Sequence, residues 1–316
     1  MRLRTLTIWH KFKKLWLSLL GWLVLSMLMM VFLAWSIQDL NGGLGRIQPA
    51  YQTELKGDAM QRLEITASGV RLEIAGSVDS SKVRAYLYGP GYAGQEVRLY
   101  KRGDTVYAHL AQNPPAAGNF GYDGVENLTL RVIVPKRNYE AIVVKAQRAQ
   151  VRLTNLRSDL LELEATDGSV QLDKLDLKQA KAVSQSAQVA LTDSSINDLT
   201  VVNESGDTTV SRSQLRHWHY DGGSGALLVE QKNVKGVWQL ETVAGDITVQ
   251  TIRTPYDLLC QLESVRGSVV VDYSKYGWDE LLTTRLEEKD FQGCIGEGRQ
   301  MLLVKTDKGN IKVSRR

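Results

Sequence analysis

From Ala149 the chain reads AQVRLTNLRSDLLELEATD, from Gly168 GSVQLDKLDLKQAKAVSQS, from Ala187 AQVALTDSSINDLTVVNES, and from Gly206 GDTTV. Successive starts at Ala149, Gly168, Ala187, Gly206 and Gly225 stand 19 residues apart. Gly245 and Gly267 follow after steps of 20 and 22, and a last start at Gly309 comes after a long insertion. A period near 20 without a 3.6-residue periodicity marks a stacked, quasi-one-dimensional fold. The third and fifth positions of a unit are almost always aliphatic, as at Val151 and Leu153 or Ile247 and Val249. A second alternating run precedes the next start, as at Leu161 and Leu163 or Trp238 and Leu240. Two period-2 runs per unit predict two short strands, each with one buried face.

Such strands cannot bury that face alone, so coils must stack in parallel at ~4.8 Å each around a narrow apolar core. The corners at Gly168, Gly206, Gly225, Gly245, Gly267 and Gly309 turn without a Cβ clash. No proline interrupts the chain between Lys136 and Thr254, where backbone N–H groups must serve a ladder. The expected fold is all-β: a parallel β-solenoid of about 19–22 residues per coil over residues 149–316, with an insertion at 273–300. In that insertion Trp278, Leu281, Leu282 and Leu286 have loose helical spacing, which suggests a short helix capping the far end. Residues 61–148 alternate less regularly, with Leu63, Ile65, Leu128 and Leu130 among the inward positions. They are expected to begin the same β-structure and to cap its open end, where a bare coil would be an unpaired edge.

The N-terminus differs in kind. Residues 1–14 form a basic head, and residues 15–37 (LWLSLLGWLVLSMLMMVFLAWSI) carry no charge. As a helix those 23 residues extend about 34 Å, enough to cross a ~30 Å hydrocarbon core. Leu15 and Ile37 bound the run, Trp22 lies within it, and Trp16 and Trp35 sit near its ends, where indoles favour the interface. The basic flank predicts a cytoplasmic head and an extracytoplasmic remainder, hence a single-pass plasma-membrane protein. Ala34-Trp35-Ser36 offers a cleavage site for the competing signal-peptide reading, but the apolar run exceeds the 7–15 residues of a signal core. Residues 38–60 read as a juxtamembrane linker.

Charge narrows the partners. The formal net charge is +4, but five of the 39 basic residues lie in the head, and no acidic residue precedes Asp39. The rest of the chain holds 34 basic against 35 acidic residues, so nucleic acid is not an expected partner. The two cysteines, Cys260 and Cys294, allow one disulfide outside the cytoplasm, with a buried thiol at Cys260 as the alternative.

Chemistry-bearing motifs are few. His217 and His219 flank Trp218, and residues i and i+2 of a strand share a face, so the pair is the candidate for a metal. Column counting turns Trp218 and Tyr220 inward and both histidines outward with no acidic or cysteine ligand adjacent, so no metal is expected. Small Thr208 earlier in the coil would leave room for the indole. Asp207 and Asp246 share an outward column but are separated by the coil of Ala226, which places them roughly 10 Å apart. A calcium nonapeptide pattern is absent, and GCIGEG (Gly293 to Gly298) reads as a flexible loop. Asn127-Leu-Thr129 and Asn203-Glu-Ser205 fit the glycosylation sequon. No catalytic or cofactor motif is found.

The stretch LTLRVIVPKRNYEAIVVKA (Leu128 to Ala146), the G-D/S-x-x-V corners and the closing LLVKTDKGNIKV resemble the putative-adhesin domain family of unknown function. That family, mainly bacterial, includes the LiaG-like cell-envelope proteins. The resemblance covers most of residues 61–316 and implies an extracytoplasmic, envelope-associated β-solenoid. It brings no catalytic residues, and the cysteines and the insertion depart from it. The expected function is a non-enzymatic membrane-anchored scaffold or adhesin facing an envelope protein or cell-wall glycan. The alternatives are a glycan-active β-helix enzyme, lyase or hydrolase, and an envelope-stress sensor arm.

Overall fold

The computed structural model describes residues 51–57, 59–89, 95–112, 128–253, 255–272, 284–286 and 289–316. The expected membrane segment, the basic head and Asn127 lie outside the described residues. Among the described residues, no helix is long and apolar enough to cross a membrane. One compact unit spans Pro49–Arg316, and its described residues are all-β.

The alternation of apolar and polar residues becomes strand wherever it occurs. The N-terminal section supplies β1 (Tyr51–Lys56), β2 (Arg62–Ser68), β3 (Arg71–Ser77), β4 (Lys82–Tyr88), β5 (Gln95–Arg102), β6 (Thr105–Gln112) and β7 (Thr129–Pro135). The repeat supplies β8 (Asn138–Gln147), β9 (Ala149–Thr154), β10 (Arg157–Asp173), β11 (Asp176–Thr192), β12 (Ser195–Asn203), β13 (Thr208–Ser211), β14 (Gln214–Gly222) and β15 (Leu227–Gln231). It continues with β16 (Val237–Thr242), β17 (Ile247–Thr251), β18 (Leu258–Ser264) and β19 (Val269–Asp272). The end of the chain adds β20 (Thr284–Leu286), β21 (Asp290–Ile295), β22 (Gln300–Thr306) and β23 (Ile311–Arg315).

Each regular coil gives one run to each of two ladders. Residues 19 apart pair in parallel: Leu161 with Ala180, Ala180 with Leu199, Leu199 with Trp218 in the first ladder, and Val170 with Val189 in the second. Their inward side chains share one core, in which Leu153, Leu163, Val170, Val201, Leu240 and Val249 are at most 3% exposed. Burying each such side chain contributes about 1.5–3 kcal/mol, which is why the alternation, and not strand propensity, fixes the register. Trp218 meets Trp238 edge-on at 5.5 Å between centroids. Thr208 is fully buried, and its hydroxyl oxygen accepts from the Tyr220 hydroxyl at 3.3 Å.

The order of coils along the stack departs from chain order at both ends. The last coil (β22, β23) lies between β16–β17 and β18–β19, so that Trp238 pairs with Leu302, and Leu302 with Cys260. The corner column therefore runs Gly245, Gly309, Gly267, where sequential stacking would have placed Gly309 last. A Cβ on Gly309 would collide with the carbonyl of Gly245, and one on Gly267 with that of Gly309. At the other end β2 sits between β8 and β6, and β3 between β9 and β7. The coils are parallel, but antiparallel strands close the ends: β5 on β6, β1 on β4 and β4 on β7 at one, β21 on β18 and β20 on β21 at the other.

Three expectations need correction. Part of the expected linker at 38–60 is ordered, since Tyr51–Lys56 is a strand and Met60 is 2% exposed. Leu286, expected on a helix, lies in strand β20, while Trp278, Leu281 and Leu282 fall outside the described residues. Of the expected GCIGEG loop, Gly293 to Ile295 belongs to β21, which pairs with β18.

Candidate functional site

The first ladder carries an irregularity repeated in every regular coil. Ser158 pairs with Leu177 and Leu160 with Gln179, while Asp159 and Lys178 between them are left out. The same omission recurs at Asn197 and Arg216. Each coil thus breaks its alternation at one residue, a bulge kept in register from coil to coil, and two consecutive side chains face outward: Asp159 with Leu160, Lys178 with Gln179, Asn197 with Asp198, Arg216 with His217. In the first coil the Ser158 hydroxyl staples the bulge, donating to the Leu160 carbonyl at 2.7 Å and accepting its N–H at 3.3 Å. The sequence signal is a three-residue step between inward positions (Ser158 to Leu161, Leu177 to Ala180, Leu215 to Trp218) that breaks the period of two.

Stacked bulges leave a shallow groove along one edge of the coils. It is made of adjoining concavities of about 430, 370 and 460 Å³ that share Ser195. Over its first part the charges cancel across coils. Lys178 lies 2.9 Å from Asp159 and Arg157 2.8 Å from Asp176, and Arg212 grips Asp193 with two bonds of 2.9 Å. These partners hold the Asp159 and Asp193 carboxyls below the ordinary range, for Asp159 with the Asn138 amide foremost. At the last concavity the lining holds Arg216, Lys235 and Arg299, with His217 beside them and, among the described residues, no carboxylate.

A second concavity of about 510 Å³ lies on the outer face of the first ladder near its C-terminal end. Gln239, Gln261 and Gln292 surround Leu303, and Glu241, Glu263 and Asp290 lie in the neighbouring row with Lys305. Lys305 Nζ stands 3.1 Å from Glu263, which raises its pKa, and Gln239 donates to Glu241 at 2.8 Å. Among the described residues no cluster of histidine, cysteine and carboxylates could hold a metal ion.

The residues singled out from sequence find these places. His217 and His219 are exposed and Trp218 and Tyr220 buried; His217 Nδ1 lies 2.8 Å from Asp198 Oδ1, an acidic neighbour that sequence reading missed because it comes from the preceding coil. Cys260 pairs across β18–β21 with Gly293, and Cys294 with Leu259. Opposed residues share a face, so the two thiols point to opposite sides of the sheet, and both are free. Asp207 and Asp246 are corner residues: Asp207 accepts the Ala226 N–H at 2.9 Å, and Asp246 that of Asn310 at 2.6 Å. Asn203 of the sequon is 1% exposed, and its amide donates to the carbonyls of Ala187 and Gly206 at 3.1 and 2.8 Å, so it is no glycan acceptor. It is one of five buried polar residues that stand three before a corner, with Ser184, Thr242, Thr306 and Ser264. Leu15, Trp16, Trp22, Trp35 and Ile37 are outside the described residues.

A family model described as Toastrack DUF4097 matches residues 60–314. Among solved structures, one described as a "putative cell adhesion protein" from Clostridium sporogenes is 12% identical, with 85% of this chain and 100% of that chain covered and a TM-score of 0.28. Another, a "putative adhesin" from Parabacteroides merdae, is 8% identical over 64% of this chain and 96% of that one, with a TM-score of 0.26. No curated protein matches the chain.

Proposed function

We propose, for a chain that belongs to the Toastrack DUF4097 family, a membrane-anchored, extracytoplasmic and non-enzymatic interaction scaffold of the cell envelope. Residues 15–37 would be the anchor and residues 1–14 the cytoplasmic head. The carrying observation is the edge groove. It repeats the same outward pair of positions in successive coils, at a pitch of ~4.8 Å, and so offers an extended partner many equivalent contacts. An envelope glycan or the strand-rich flank of an envelope protein fits such a surface. The decisive experiment has two arms. Full-length protein should stay with the membrane pellet after alkaline carbonate extraction, and release into the supernatant would refute the anchor. Immobilised full-length protein should capture wall or membrane-protein fractions, and clean failure with both would refute the scaffold.

The second concavity favours one other reading, a glycan-active enzyme, because Glu241, Glu263 and Asp290 line it together with Lys305. Release of new reducing ends or unsaturated products from wall glycan, abolished in Glu263→Gln, would establish that reading in place of the scaffold.

A further inference from the structure

The last concavity of the edge groove gathers cations from three separate stretches. Arg216 comes from the bulge of β14, Lys235 from the turn before β16 and Arg299 from the turn before β22. Neither Arg216 nor Lys235 has an acidic partner among the described residues. Arg299 is positioned by a carboxylate, because Asp257, 5% exposed, accepts its backbone N–H at 3.0 Å and its Nε at 2.6 Å. Glu297 lies 3.3 Å from the same Nε. The guanidinium is thus fixed along its Nε edge on a buried support, which a merely solvated surface arginine does not require. Those contacts, the backbone hydrogen bond first, also keep the Asp257 carboxyl below its ordinary range and ionised. His217 closes the set, its Nδ1 turned to Asp198.

Neutral hydrogen-bonding side chains also line it, Ser195, Asn197 and Gln214, beside the apolar Ile196, Leu215 and Val237. The volume of about 460 Å³ lies in the ~300–1,000 Å³ range of small-molecule sites and far exceeds a bare inorganic anion. A lining that combines three cations with two amides and a hydroxyl matches a ligand with one oxyanion and several hydroxyls.

We propose that this pocket binds an acidic sugar unit, its phosphate or carboxylate taken by Arg216, Lys235 and Arg299 and its hydroxyls by Asn197 and Gln214. The inference rests on the scaffold reading only for the polymer that carries the unit, which would continue along the charge-balanced part of the groove.

Full-length protein in nanodiscs of phosphatidylcholine is titrated calorimetrically with glucose 1-phosphate, glucuronate and glucose. Either acidic sugar should bind at least about tenfold more tightly than glucose, and should weaken as NaCl rises from ~50 to ~300 mM. The preferred acidic sugar identifies the group as phosphate or carboxylate. The double variant Arg216→Ala, Lys235→Ala should lose about tenfold in affinity with an unchanged melting temperature. Lys312→Ala, on the other ladder, should bind as the parent does. Equal affinity for glucose, no binding of either acidic sugar, or an unchanged double variant overturns the proposal. Capture of wall fractions that persists without acidic-sugar binding refutes this site alone, whereas acidic-sugar binding without any capture refutes the scaffold alone.

Discussion

At the scale of the residue, the second corner of each 19-residue coil is built on strain. Asn155, Lys174, Asp193 and Arg212 stand 19 apart and all have left-handed backbones, with φ between 48° and 57°. Each donates its N–H to the next coil, as Lys174 does to the Thr192 carbonyl at 3.2 Å. A side chain there costs about 1–2 kcal/mol that glycine avoids. Lys174→Gly should therefore raise stability by about 1 kcal/mol, read as a higher urea midpoint. Gly168→Ala should do the reverse. Its φ is 114°, and the new Cβ would strike the Ala149 carbonyl, so a loss above ~2 kcal/mol is expected in the same assay. Tyr139 gives a pH signature. Its buried hydroxyl donates to the Pro135 carbonyl at 2.6 Å, and burial, against the nearby Arg137, pushes its pKa up to about 12 from 10. The folded state thus holds the proton more tightly, so this contribution is complete below pH ~10 and is lost as pH rises towards ~12. Urea midpoints should fall across that window, and fall less steeply in Tyr139→Phe.

At the scale of the element, register decides chemistry. The antiparallel match of β18 to β21 offsets the cysteines by one position and places them on opposite faces. Burial pushes the Cys260 thiol pKa far up, whereas Cys294 is half-buried on the outer side. Maleimide labelling followed by mass spectrometry should modify Cys294 in the native protein and Cys260 only after unfolding. A non-reducing digest containing the Cys260–Cys294 crosslink would contradict the register. The bulges make the same point for the groove. One break in the alternation per regular coil turns two neighbouring side chains outward, and stacking in register repeats that local defect along the groove.

At the scale of the whole folded unit, the first coil (β2, β3) and the last (β22, β23) each lie between two others in the stack. In a stack laid down in chain order, loss of the final coil would fray one end. Here the final coil pairs on both sides, and it contributes Leu302, Val304, Ile311 and Val313 to the core, each at most 3% exposed. At ~1.5–3 kcal/mol per buried side chain, its removal should be felt by both neighbours. Deleting residues 300–316 should open new protease sites across 237–272, mapped by limited proteolysis with mass spectrometry. Protection of that region in the truncated protein would show that the coils on either side hold together without it.

The sequence alone determined which residues form columns, because a buried strand face repeats every two residues and a coil every 19. It placed Val151, Val170, Leu199, Trp218 and Leu240 inside, the corner glycines at the turns, and the chain within an adhesin-like solenoid family. It could not say in which order coils lie along the axis, since Gly245, Gly267 and Gly309 present the same local text to any neighbour. Nor could it assemble the cationic pocket, whose Arg216, Lys235 and Arg299 come from three separate stretches of the chain. Column membership is a local property of periodicity, whereas coil order and pocket assembly are set by which free edges find each other in three dimensions.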